Sequence, residues 1–154
     1  MKTLKLTFLL FVLRYLTLSA QFSVIAFLDE PLNKTFSEVK EQLTDKKIEE
    51  NSEGTFNLIT YYDWLEPVSI KINFMFKKDG KPVSKVISNA KGTEEDEQKL
   101  FNILNGELIK KYGQSISQKS LFGLTAYSWG GIGGSVVTLT HGNKKTLLMI
   151  MTFK

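Results

Sequence analysis

The clearest pattern in the chain is the alternation of apolar and polar residues over "VSIKINFMFKK". Side chains at every second position of a strand share one face of a sheet. The apolar set is Val68, Ile70, Ile72, Phe74 and Phe76, and polar residues fill most of the positions between them. Asp79-Gly80, a dipeptide that tight hairpins prefer, precedes the second apolar run "VSKVIS". The pattern therefore predicts a β-hairpin with one buried face.

Two segments have apolar residues at helical spacing. In "TFSEVKEQLTDKK", Thr35 and Glu38 form a capping box at the start of a short amphipathic helix. In "TEEDEQKLFNILNGELIKKYG", Thr93 caps a longer helix and Gly113 ends it. The acidic run Glu94 to Glu97 lies in the first turn, where the helix dipole favours negative charge, so it is interpreted as dipole complementarity rather than a metal site.

The remaining apolar runs predict strands. "FSVIAFLDEPLN" is interpreted as a first strand, and "FNLITYYDWLEP" as a strand that ends near Pro67. At the C-terminus, "GLTAYSW", "SVVTLTH" and "TLLMIMTF" follow one another, and the last two are apolar enough to be central strands covered by the helices. The polar "IEENSEGT" is interpreted as a loop.

The order of these elements predicts an α+β fold, an antiparallel sheet with two helices packed on one face. After the first strand, the order helix, strand, strand, strand occurs twice. "LITYYDW…VSIKINFMFKKDGKP" also resembles "LTAYSW…SVVTLTHGNKK". Each has a strand with Tyr and Trp, then an alternating apolar strand, then a glycine turn followed by lysine. Duplication of a helix-strand-strand-strand unit is therefore one hypothesis, and chance similarity between hairpins is the other.

The glycines of "GGIGG" indicate a turn rather than a phosphate site. A phosphate cradle lies between a strand and a helix, whereas this run precedes the β-branched "SVVTLT". Val136 stands where a dinucleotide-binding motif would have its third glycine. The sequence thus predicts no nucleotide cofactor.

The N-terminus "MKTLKLTFLLFVLRYLTLSAQF" is typical of a secretory signal peptide. Lys2 and Lys5 precede an apolar run, and Ser19-Ala20 suits cleavage before Gln21. The predicted organisation is a signal peptide, 1–20, followed by a single α+β domain, 21–154. An uncleaved membrane anchor and a cytosolic N-terminal helix are the alternatives. Arg14 within the apolar run disfavours the anchor. The expected location is the periplasm or the extracellular space.

Composition removes several classes of function. Beyond residue 20 the chain has 17 lysines against 16 carboxylates, so it lacks the charge that duplex nucleic acid binding requires. Arg14 is the only arginine, which disfavours bidentate phosphate recognition. The absence of cysteine excludes thiol catalysis and cysteine metal sites, and one histidine is too few for a zinc site. No metal and no cofactor are therefore expected.

Few residues suit catalysis. His141 is the single histidine, and its position at a hairpin is typical of a solvated turn residue. Asp63 and Glu66 flank Trp64 and could act as acid and base on a glycan or peptide. A small carboxylate-dependent hydrolase is therefore the alternative function, although residues three apart near a turn are expected to point in different directions.

Binding is the favoured function, and aromatic residues supply the candidates. Tyr61, Tyr62 and Trp64 form an aromatic patch, and Trp129 and Ile132 flank the glycine-rich turn. Large aromatic side chains are enriched at interface hot spots. Periodicity does not decide which of the residues 61 to 64 face the core, and Trp129 can alternatively pack under the sheet.

The motifs "AFLDEPLNKTFSEVKEQL" and "EEDEQKLFNILNGELIKKYG" resemble those of small exported proteins of unknown function from Gram-negative gut anaerobes. Pro31-Leu32 and Lys111-Tyr112-Gly113 correspond to that group. The helix-plus-sheet arrangement is also similar to the β-lactamase-inhibitor-protein-like fold, which implies protein–protein contact. The expectation is an exported, non-enzymatic domain that binds a protein or envelope component, with self-association through a sheet edge also open.

Overall fold

The computed structural model describes residues 22–152, except the side chains of Leu121 and Ile132. This part of the chain is an α+β domain with one eight-stranded antiparallel sheet and three helices. The helices are α1 (Val24–Asp29), α2 (Phe36–Gln42) and α3 (Glu94–Tyr112). The strands are β1 (Ile48–Glu53), β2 (Phe56–Leu65), β3 (Val68–Lys77), β4 (Pro82–Asn89), β5 (Ser117–Leu121), β6 (Leu124–Gly130), β7 (Ser135–Gly142) and β8 (Lys145–Thr152). The predicted fold class is confirmed.

The sheet consists of two four-stranded meanders joined along β4 and β8. The strand order is β1-β2-β3-β4-β8-β7-β6-β5, and every neighbouring pair is antiparallel. The helix α2 precedes the first meander and α3 precedes the second, so each half has a helix followed by four strands. Each half therefore has one strand more than the predicted unit, and its origin by duplication stays a prediction.

The core lies between the helices and one face of the sheet. The alternating set on β3 is buried throughout, which confirms the predicted hairpin face. Leu100, Leu104 and Leu108 of α3 are fully buried, and their spacing of four residues aligns them on one stripe of the helix. Complete burial of such a side chain contributes about 1.5–3 kcal/mol, so this stripe holds α3 on the sheet.

The predicted first strand is wrong, because Val24–Asp29 is a helix. Ser23 caps it by accepting a hydrogen bond from the Ala26 amide at 3.2 Å. Val24, Phe27 and Leu28 are buried, a spacing of three and four residues that suits a helix. A short apolar run fits either element, and here the serine cap and the docking surface select the helix.

The strands β1 and β5 are the second departure from the prediction. Both are edge strands with mostly polar sequences, and β1 is the segment interpreted as a loop. An edge strand with no buried face lacks the alternation that identifies a strand in a sequence. Backbone pairing with β2 and β6 is what holds them.

The glycine-rich segment is a turn between two strands, as predicted. It links β6 to β7 through a short 3-10 turn, Ile132–Gly134. Gly133 and Gly134 have φ values of 65° and 77°, a region that favours glycine. Of the helices in residues 22–152, none has the length and apolar content to cross a membrane. The predicted signal peptide lies outside the described residues.

Candidate binding surface

The sheet has one face that none of the described helices covers, and we call it the open face. Paired residues of antiparallel strands share a face. Ile72 is buried beneath the helices and pairs with Tyr61 and Ile87, so these three belong to the core side. The neighbouring positions, Tyr62 and Lys71 among them, therefore belong to the open face.

Apolar side chains occupy the middle of the open face. The cross-strand row Met75, Ser84, Met151 runs through β3, β4 and β8, and Val86 and Met149 lie in the next row. Met75, Val86, Met149 and Met151 are half-buried, and Ser84 is only 3% exposed because larger side chains surround it. All three methionines in the described part of the chain are on this face. Methionine adapts its shape to an irregular partner more readily than branched side chains do.

The methionines could not be identified as surface residues from the sequence, because β8 is apolar at most positions. Leu148 and Ile150 face the core, whereas Met149 and Met151 face outward. The expectation that helices cover this strand is correct for one face only. Taking every second residue of "TLLMIMTF" separates the leucine and isoleucine positions from the methionine positions. The sequence alone does not tell which of these two groups faces the core.

The charge of the open face has one sign on the six inner strands. Lys71 and Lys77 lie on β3, and Lys145 lies on β8 opposite Gly142. The described residues of β2, β3, β4, β6, β7 and β8 place no carboxylate on this face. Short polar groups separate the lysines, for example Thr60, whose hydroxyl donates to Asn73 Oδ1 at 2.8 Å. The surface therefore favours a partner with apolar and acidic groups.

The aromatic patch of β2 is divided between the two faces. Tyr62 is 49% exposed and Trp64 is 47% exposed, both on the open face. Tyr61 faces the core, where its ring stacks on Phe74 with a centroid distance of 6.3 Å. Burial raises the pKa of the Tyr61 phenol, and the nearby carboxylate of Asp63 raises it further. The alternation of side chains along β2 thus shows which of these aromatic residues face the core, a question that the sequence alone does not decide.

Trp129 is a core residue. It is 1% exposed, and its indole Nε1 donates to the main-chain oxygen of Gly113 at 3.0 Å. This bond joins β6 to the end of α3. The side chain of Ile132 lies outside the described part of the structure. Of the residues predicted for binding, the structure therefore exposes Tyr62 and Trp64, and it buries Tyr61 and Trp129.

The two candidate catalytic carboxylates lie in different surroundings. Asp63 forms an ion pair with Lys46 at 3.1 Å and accepts a hydrogen bond from the Trp64 amide at 2.8 Å. Glu66 is exposed in the turn between β2 and β3. Within residues 22–152 the two share no hydrogen-bond or ion-pair partner. The structure does not assemble them into one site.

His141 is not the solvated turn residue that its position suggests. Its ring stacks on Phe101 with a centroid distance of 4.3 Å, and Nδ1 lies 2.8 Å from the Thr146 hydroxyl. Burial lowers the pKa of the imidazole. The pairing of His141 with Thr146 on the core side of β7 and β8 explains this position, because the hairpin loop begins only at Asn143.

Known proteins add no information about this surface. The chain matches no protein-family model, no curated protein and no solved structure. The resemblance to small exported proteins therefore stays a prediction.

Proposed function

We propose that this chain is an exported, non-enzymatic binding domain and that its open face binds a protein of the cell envelope. The observation that carries the proposal is the placement of two half-exposed aromatic residues, Tyr62 and Trp64, on the face that also has Met75, Met149 and Met151. The helices bury the other side of the sheet, so binding here leaves the core intact.

The composition of the open face supports a protein partner. Interfaces are enriched in tyrosine, tryptophan and methionine, and they are depleted of charged groups at their centres. Trp64 and Tyr62 supply large areas at one end, where truncation is expected to cost the most affinity. Tyr62 and Trp64 are the two large hydrophobic side chains that the described part of this face leaves exposed, which supports a binding role for this end of the sheet.

The lysines define the chemistry of the partner further. Lys71, Lys77 and Lys145 give the inner strands of the open face a positive character, so the surface that matches these strands combines apolar side chains with aspartate or glutamate. Charge pairs at the rim chiefly raise the association rate, and salt screens them. Binding should therefore weaken as the salt concentration rises. Export rests on the N-terminal sequence alone.

The test begins with capture of the C-terminally tagged protein from the envelope fraction of its own cells. Each candidate partner is then purified and its affinity measured against the wild type, Trp64→Ala, Tyr62→Ala and Phe122→Ala. Phe122 is the matched control because it is 86% exposed but lies in the turn after β5. At least a tenfold loss is expected for Trp64→Ala, about 1.4 kcal/mol, and no change for Phe122→Ala.

Equal affinity for all four proteins would contradict the open face as the binding site. Turnover of a glycan or peptide that disappears in Asp63→Asn would replace the proposal with the hydrolase. A mature N-terminus at Gln21 supports export, whereas a protein that retains Met1 and stays in the cytosol would contradict it.

A further inference from the structure

A cleft opens at the end of the sheet where the two halves of the domain separate. The strands β4 and β8 pair as far as Ser88 and Leu147 and then diverge towards α3 and the β7–β8 hairpin. The cavity between them has a volume of about 520 Å³. This volume lies within the range of small-molecule sites, about 300–1,000 Å³. We call it the β4–β8 cleft.

Glu97 gives the cleft a buried carboxylate. It lies in the first turn of α3, lines the cleft and is only 5% exposed. Its main-chain oxygen accepts a hydrogen bond from the Thr146 hydroxyl at 2.8 Å, which fixes this turn of the helix against β8. Within the described structure, Glu97 Oε2 has no hydrogen-bond partner. A buried carboxylate oxygen without a donor is costly, so this atom favours a ligand that supplies one.

Asn89 provides the opposite hydrogen-bonding group in the same cleft. Its Oδ1 accepts a hydrogen bond from the Lys91 amide at 2.9 Å, and this contact sets the orientation of the side-chain amide. Its Nδ2 is buried and has no acceptor among residues 22–152. Two residues that line the cleft therefore each have one buried polar atom without a partner in the described structure, Oε2 of Glu97 and Nδ2 of Asn89.

Lys145 adds a positive charge at the mouth of the cleft. Burial raises the pKa of Glu97. Hydrogen bonding with Thr146 opposes that rise first, and the Lys145 ammonium group opposes it more weakly, although the described structure shows no ion pair between Glu97 and Lys145. Lys144, the neighbouring cleft residue, is engaged with Glu94 at 3.2 Å. An acid and a base thus flank one cavity without neutralising each other directly.

We propose that the β4–β8 cleft binds a small zwitterion of the α-amino acid class with an apolar side chain. Glu97 accepts hydrogen bonds from the ligand ammonium group, and Asn89 and Lys145 bind its carboxylate. Leu124 and Leu147 form the apolar part of the wall and contact the side chain. A free amino acid and a short peptide share this chemistry. The proposal does not depend on the function of the open face.

The experiment is an amide NMR titration of the domain with L-leucine and, separately, with the dipeptide Leu-Leu. Saturable shifts are expected around Ser88–Gly92 and Lys144–Leu147, with a dissociation constant of about 1 mM or tighter. Saturation by leucine alone identifies the free amino acid, and saturation by the dipeptide alone identifies peptide ends. N-acetyl-leucine and leucine amide each lack one charge and are expected to bind at least tenfold more weakly.

Variants test the assigned contacts. Glu97→Gln and Lys145→Gln should each weaken binding at least tenfold, whereas Lys144→Gln should not. The substitution of Lys145 is at an exposed position, so it tests the site even if Glu97→Gln unfolds the domain. Failure of both ligands to give saturable shifts, or equal affinity in Lys145→Gln, would overturn the proposal. Lys145 belongs to both surfaces, whereas Tyr62 and Trp64 do not line the cleft, so the open face is tested separately by their substitution.

Discussion

The ammonium group of Lys85 donates a hydrogen bond to the main-chain oxygen of Glu30 at 2.6 Å, so a lysine in the middle of β4 closes the end of α1. Lys85 also donates to the Phe27 carbonyl and lies 4.4 Å from the centre of the Phe27 ring. The last carbonyls of a helix have no partner within the helix, and a cation is favourable there. This contact joins the first helix to the sheet. It also places a lysine side chain in the interior, since Lys85 is only 1% exposed.

This burial predicts a stability that rises with pH in a defined window. Desolvation lowers the pKa of Lys85 from 10.5 to about 8. Below about pH 8 this lysine is protonated in both the folded and the unfolded chain. Between about pH 8 and 10 the unfolded chain binds more protons than the folded one, so the free energy of unfolding increases with pH. Urea unfolding at several pH values measures this increase.

Lys85→Met should remove the pH-dependent increase, and it should also destabilise the domain because two helix carbonyls lose their donor. Lys110→Met is the control, since Lys110 is an exposed residue of α3. Measurements should stay below about pH 10, because the raised pKa of Tyr61 makes its effect on stability opposite in sign above that value. An unchanged pH profile in Lys85→Met would contradict the assignment.

The two tryptophans should respond very differently to truncation. Trp129→Ala removes a fully buried ring and the donor to Gly113, so we expect a loss of about 3–5 kcal/mol in the free energy of unfolding. Trp64→Ala removes a ring that is 47% exposed and should cost less than about 1 kcal/mol. Equal losses in chemical denaturation would mean that Trp64 also supports the core.

Elements with one buried face could be predicted from the sequence, and elements without one could not. The alternation in β3 and the capping boundaries of α2 and α3 are local signals, and the structure confirms them. The run Val24–Asp29 has only a weak local signal, the Ser23 cap and an apolar spacing too short to distinguish a helix from a strand. Its helix depends on Lys85, which is 55 residues from Glu30 along the chain, and no local pattern contains that contact.

The candidate surface was predictable in its residue types but not in its directions. Tyr62 and Trp64 were identified from composition, whereas the side of the sheet that they occupy follows from the register of β2 against β3. In the sequence, Glu97 is one of four acidic residues that complement the helix dipole. Only the tertiary structure shows that it is the buried member of the four.

Replacement of glycine by alanine is expected to have opposite effects on stability at Gly142 and at Gly106. Gly142 has φ of 134°, and a Cβ there would lie 2.1 Å from the Gly123 carbonyl oxygen. Gly142→Ala should therefore destabilise the domain by at least about 1–3 kcal/mol. Gly106 lies within α3, and a Cβ added there would meet no heavy atom within 4 Å beyond the adjacent helix backbone, so Gly106→Ala should stabilise by about 0.5–1 kcal/mol. Thermal unfolding compares the pair, and a lower melting temperature for Gly106→Ala would contradict this assignment.

The exposed edge of β5 is a candidate site of self-association, and its residues predict which substitution promotes it. Among the described strands it pairs only with β6, and two exposed apolar residues flank it, Ile116 at 78% and Phe122 at 86% exposure. Lys119 lies in the middle of the strand and is exposed. If two copies paired through β5 in antiparallel register around this residue, the two lysines would face each other, and the repulsion would disfavour the dimer.

Lys119→Val should therefore promote association, because it removes the charge and makes the edge more apolar. Light scattering over a concentration series should show a larger apparent mass for Lys119→Val than for the wild type. Lys119→Arg keeps the charge and should behave as the wild type does. Lys110→Val controls for an added valine on α3. Equal masses for all four proteins would mean that Lys119 does not limit pairing at this edge, and the twist or the brevity of β5 would then be the protecting feature.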